Sequence, residues 1–192
     1  MALGLIVKRA GLCTVLMLVV SASVSAQPWV SVATAGLDDP TQREVSALAV
    51  FGSEVYLATH NPAGVPRIFR APIRDDDSWE EVTPPGLAGE VTSMVVVGGE
   101  LLVSTMTGQL RSRDRAGVWI PITPSPPGWG APRPILDVTG WTPRRGGRIL
   151  CVARLGLEVW CKDNLLPWAL LPLPGSLGTD AGIGSATLQV YE

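Results

Sequence analysis

The sequence is short of several residue types on which particular chemistries depend. Beyond residue 26 it keeps one histidine, His60, and two cysteines, which do not make a four-ligand zinc site. No metal site and no cofactor are expected. Neither GxxxxGK[ST] nor GxGxxG occurs, so the usual backbone cradles for nucleotide phosphates are missing. Basic residues do not predominate, with 15 Lys and Arg against 17 Asp and Glu, which argues against a nucleic-acid partner. The most apolar run, Leu12 to Val20, has nine residues, well short of the roughly 20 that span a bilayer. Tyr and Phe number two each. In their place stand 21 Gly, 17 Pro and a hydrophobic fraction rich in Val, Leu and Ala, a mixture suited to strands and tight turns rather than long helices.

The N-terminus places Lys8 and Arg9 ahead of AGLCTVLMLVVSASVSA, which ends at Ala26. Basic, apolar and small-residue sections in that order read as a secretory signal. Residues 1–26 are therefore expected to be a signal-peptide helix, cleaved after Ala26, leaving residues 27–192 secreted or periplasmic without a permanent membrane anchor. Cys13 would leave with the signal. The remaining 166 residues carry 13 basic and 17 acidic groups, a net charge of −4, which suits no polyanion. Cys151 and Cys161 persist in a compartment that permits disulfides. They flank a turn near Gly156 in RILCVARLGLEVWC, so symmetric pairing sets them opposite one another on adjacent strands. A cross-strand disulfide is expected, with a buried free pair as the alternative.

Internal repetition organises the rest. Trp29, Trp79, Trp119 and Trp168 open similar phrases at spacings of 50, 40 and 49 residues. Between them lie EVSALAVFGSEVYLAT from Glu44, EVTSMVVVGGELLVST from Glu90 and ILDVTGWTPRRGGRILCVA from Ile135. Each is a β-branched run interrupted by glycine, which predicts a hairpin. A third strand follows at VPRIFR, QLRSR and LEVWC, then a polar turn and the tryptophan. LRSRDRAGVW and VWCKDNLLPW align with Asp114 and Asp163 in one slot and Trp119 and Trp168 in another. In the longer first copy, FRAPIRDDDSW, the slot is expected at Asp75, Asp76 or Asp77. An Asp at a turn can accept backbone N–H bonds, and a large aromatic on the returning strand can bury against a neighbouring sheet. Four-stranded units are expected at about 44–83, 90–123 and 135–172, flanked by strands at 29–34 and 185–191. A unit this small cannot bury both faces alone, so stacking must supply the core.

These residues resemble the Asp-box, or BNR, repeats of sialidase-like β-propellers, whose pattern is Ser-x-Asp-x-Gly-x-x-Trp. Ser112, Asp114 and Trp119 keep that spacing, and Cys161, Asp163 and Trp168 keep it with Ser replaced. The resemblance runs from Trp29 to about Glu192 and implies an all-β, partial propeller of about three and a half blades. It gives the Asp a turn-stabilising role and no catalytic one. At about 46 residues per unit the chain falls short of the four to eight blades of closed propellers. A piece of a longer propeller, an oligomer that completes the ring and an open arc all remain as readings.

The resemblance also implies where a ligand would sit. Loops holding His60, Asn61 and Arg154, with Glu44 and Glu90 at the starts of inner strands, are the candidate binding residues. A hydrolase of the sialidase type would need an arginine cluster, a Tyr/Glu pair and an Asp acid. Arg70 reads as repeat scaffolding, and the two tyrosines are Tyr56 and Tyr191. No catalytic residue is assigned. The acidic run Asp75–Asp77 and the basic turn from Arg144 to Arg148 read as solvated. The expectation is an exported, non-catalytic repeat module that binds a protein or glycan through its loops, with a fragment of a glycoside hydrolase as the alternative.

Overall fold

A computed structural model describes residues 37, 41–42, 44–62, 65–74, 78–122, 130–143, 147–156, 158–163 and 167–171. The expected signal segment at 1–26, Trp29, Asp75–Asp77 and the flanking strands expected at 29–34 and 185–191 lie outside them. The described residues form β-strands and no α-helix, in agreement with the all-β expectation. Strands β1 (Glu44–Phe51), β2 (Glu54–His60), β3 (Arg67–Pro72) and β4 (Glu80–Glu81) make sheet 1. Sheet 2 contains β5 (Val91–Val97), β6 (Glu100–Thr105), β7 (Leu110–Arg113) and β8 (Trp119–Pro121). Sheet 3 contains β9 (Ile135–Trp141), β10 (Ile149–Arg154), β11 (Glu158–Lys162) and β12 (Ala169–Leu170). Every neighbouring pair is antiparallel and every sheet is a meander in chain order.

Glycine sets the hairpins. In sheet 2 both central residues of the Val97–Glu100 turn, Gly98 and Gly99, have positive φ (60° and 82°), the two-residue geometry whose twist matches antiparallel strands. Each first strand also carries one extra residue near its start: Ser46, Thr92 and Leu136 are skipped in the ladders with β2, β6 and β10. The bulge shifts the alternation, so that residues after it and before it can share a face.

Alternation then divides each sheet into two apolar faces. From sheet 1, Phe51, Tyr56, Ala58 and Ile68 meet Val91, Met94, Leu101 and Val103 of sheet 2. From the other face of sheet 2, Val97, Leu102 and Leu110 meet Ile135, Val138, Leu150, Val152 and Trp160 of sheet 3. We call the face turned toward the preceding sheet leading and the other trailing. First strands lie side by side, β1 with β5 and β5 with β9. The approach is close at Gly140, where an added Cβ would stand 2.6 Å from the Ile149 carbonyl and 2.8 Å from Val97 Cγ1 of sheet 2. No helix among the described residues is long and apolar enough to cross a membrane.

Tryptophans extend the contact between sheets. Trp119, the first residue of β8, packs on the cluster between sheets 1 and 2, and its Nε1–H donates to the Val82 carbonyl of the preceding repeat at 2.7 Å. The Arg113 guanidinium lies 5.4 Å from the same ring. Trp168 packs against the second cluster with the Lys162 ammonium 5.7 Å from its ring. Trp79 is partly buried ahead of β4.

Asp114 follows β7 and closes its turn. Its Oδ1 accepts the Val118 N–H at 2.8 Å, while its backbone exchanges hydrogen bonds with Val118 and Gly117. Asp163 holds the matching position after β11. In sheet 1 the ladder puts Pro72, opposite Glu54, at this position. Cys151 and Cys161 are directly opposed on β10 and β11 and form a disulfide.

Candidate functional site

The expected ligand residues fall at one end of the stack, where first strands begin and second strands end. Glu44 and His60 are ladder partners at the rim of sheet 1. Sheet 2 brings Glu90 to His60: its Oε2 is 3.6 Å from His60 Nδ1, and both side chains are partly exposed. The Glu90 backbone is fixed because its carbonyl accepts the Met106 N–H at 2.8 Å, continuing the β5–β6 ladder by one step. Asn61, just past β2, donates from Nδ2 to Thr41 Oγ1 at 3.0 Å. Beneath them the buried Thr59 hydroxyl donates to Gln42 Oε1 at 2.5 Å. The rim therefore offers two carboxylates, an imidazole and an amide held by neighbouring ladders, a set suited to cationic groups or hydroxyls. Among the described residues no group of three His, Cys, Asp or Glu is placed to hold a metal ion.

Arg154 stands at the corresponding end of sheet 3 but does not join that set. It takes the ladder position of Thr59 and Thr105, and its side chain is fully buried. Nη1 donates to Glu158 Oε2 at 2.9 Å and Nη2 to the Ala131 carbonyl at 3.0 Å. Glu158 also receives Arg133 at 2.9 Å and the Trp160 indole at 3.2 Å. Burial lowers the Arg154 pKa, Glu158 opposes that shift and Arg133 adds to it. An arginine so enclosed ties the β10–β11 hairpin to the segment before β9.

A second polar group, unforeseen from the sequence, lies where sheets 1 and 2 meet. Tyr56 donates its hydroxyl to Glu54 at 2.8 Å and accepts from Arg113 Nε at 3.3 Å. Arg70 spans Glu54 at 3.1 Å and Glu80 at 2.7 Å. The hydrogen bond to Glu80 leads the causes that raise the Arg70 pKa. Tyr56 is only 2% exposed and its hydroxyl is engaged on both sides, so this group fastens two sheets together. Glu100, at the position matching Glu54, instead holds Arg148 of sheet 3 at 2.7 Å. Turn glutamates at matching positions were the sequence signal for these ties, but their partners differ: Glu54 takes Arg70 from the adjacent strand β3, whereas Glu100 takes Arg148 from just ahead of β10.

No family model matches the sequence. No curated protein matches it. Among solved structures the chain is similar to one titled "YCF48 bound to D1 peptide", with 16% identity and a TM-score of 0.33, covering 72% of this chain and 56% of that chain. The chain thus spans little more than half the length of that neighbour, and a likeness so loose carries no function across.

Proposed function

We propose that this chain is an exported, propeller-type module of stacked sheets that binds a protein or a glycan at the rim formed by Glu44, His60, Asn61 and Glu90. The convergence of His60 and Glu90 from adjacent sheets, 3.6 Å apart and open to solvent, carries the reading. Rigid ladders below and polar side chains above are what a binding face on a scaffold requires. The disulfide supports export, because such bonds persist in oxidising compartments. Negative charge on the rim favours basic peptide segments or hydroxyl-rich sugars over acidic ligands.

Thermal shift and calorimetry on the purified chain test the reading, with lysine- and arginine-rich peptides and neutral oligosaccharides as probes. One class should bind, and Glu90→Gln should weaken that binding at least tenfold without altering the far-ultraviolet spectrum. Absence of binding by both classes, or binding indifferent to Glu90→Gln, would refute it. Release of a fluorogenic aglycone from a sialoside by the isolated chain would instead support the hydrolase alternative.

A further inference from the structure

The chemistry of the rim changes from sheet to sheet. Ladder register puts His60, Met106 and Leu155 at one position, each the residue after Thr59, Thr105 or Arg154. Glu44, Glu90 and Pro134 face them across the first strands. His60 is the ladder partner of Glu44, the Met106 N–H donates to the Glu90 carbonyl at 2.8 Å, and the Leu155 N–H donates to the Pro134 carbonyl at 3.0 Å. Sheet 1 thus offers a carboxylate and an imidazole here, sheet 2 a carboxylate and a thioether, and sheet 3 a proline and a leucine. Met106 and Leu155 are 40% and 41% exposed. Solvent-facing turns favour Gly, Asn, Asp and Ser, so two apolar side chains at one matched position are a surface feature that strand packing does not require.

This apolar half is held as firmly as the acidic half. Thr107 Oγ1 donates to the Ala88 carbonyl at 2.6 Å and Gln109 Nε2 to the Gly86 carbonyl at 3.1 Å, pinning the Met106 turn to the segment before β5. On its other side, a Cβ at Gly108 would collide with the Arg133 carbonyl ahead of β9, and one at Gly156 would stand 3.0 Å from Arg133 Nη1. The turns of sheets 2 and 3 therefore close on the same residue, whose guanidinium is held by Glu158.

We propose that the rim docks an extended segment of a partner protein, with Lys or Arg side chains at Glu44 and Glu90 and apolar side chains on Met106 and Leu155. This rests on the rim reading above and chooses protein over glycan. Two carboxylates beside one imidazole supply charge complementarity to a cation. Met106 and Leu155 offer a sugar neither hydrogen bonds nor an aromatic ring, whereas aliphatic side chains gain by burial there. Stacked sheets lie about 10 Å apart and an extended chain advances about 3.3 Å per residue, so about three residues carry it from one sheet to the next. The basic and apolar residues of the segment are separated accordingly.

Isothermal calorimetry on the purified chain tests this with an acetylated, amidated peptide that joins a pair of arginines to a pair of leucines through a short Gly/Ser spacer, made in both orders. Its counterpart carries serines for the leucines, and a neutral oligosaccharide completes the set. One order should bind about tenfold tighter than its serine counterpart. Met106→Ser combined with Leu155→Ser should close that gap with an unchanged far-ultraviolet spectrum, while Glu90→Gln weakens both peptides. If the double variant does not fold, Leu155→Ser alone should narrow the gap. Equal affinity of the two peptides, a gap that survives these substitutions, or binding of the oligosaccharide alone would overturn the inference and leave the rim reading standing wherever binding responds to Glu90→Gln. Absence of binding by every probe would overturn both.

Discussion

Removing the Trp119 indole tests whether the repeating aromatic is a wedge between sheets. Truncating a fully buried tryptophan to alanine costs about 3–5 kcal/mol. Trp119 is partly buried, so about 2–3 kcal/mol is expected for Trp119→Ala. About 1 kcal/mol of that belongs to the hydrogen bond with Val82 and about 0.5–1 kcal/mol to the Arg113 cation above the ring. A chain of this size loses about 2–4 °C of Tm per kcal/mol, which gives a fall of about 5–10 °C. Trp119→Phe keeps most of the apolar contact but leaves the Val82 carbonyl without its donor, and should cost about 1–1.5 kcal/mol. Urea unfolding followed by circular dichroism, with the disulfide intact, measures both. Losses within about 0.5 kcal/mol for both variants, the range of ordinary surface substitutions, would refute the wedge.

The Cys151–Cys161 bond closes a loop with a sequence separation of 10, for which chain-entropy arguments give about 2.5–3 kcal/mol. Replacing both cysteines with serine should lower the urea midpoint accordingly, and dithiothreitol should then have no further effect on it. Asp114→Ala removes the acceptor for the Val118 N–H and should cost about 1 kcal/mol in the same assay, with Asp114→Asn costing less because its carbonyl can still accept.

The architecture was written in the local sequence more fully than the site was. Valine-rich runs broken by Phe51-Gly52-Ser53-Glu54 and by Gly98-Gly99 announce hairpins because strand propensity and turn chemistry act over a few residues. The opposition of Cys151 and Cys161 follows from counting outward from the turn. The bulges at Ser46, Thr92 and Leu136 leave no such mark, since an extra residue is a matter of register and three different side chains fill it. Arg154 reads as a rim residue in one dimension, and only the return of β11 with Glu158 shows that it is enclosed. His60 and Glu90 were legible as strand-end polar residues, whereas their approach depends on how one sheet leans on the next.

Sheet 2 is the one described sheet that shares a buried apolar cluster with a described sheet on each face. It is the keystone of the stack. In nearest-neighbour assemblies each junction adds its own share of stability. Damage to sheet 1 or sheet 3 therefore forfeits one of the two described junctions, while damage to the central one forfeits both at once.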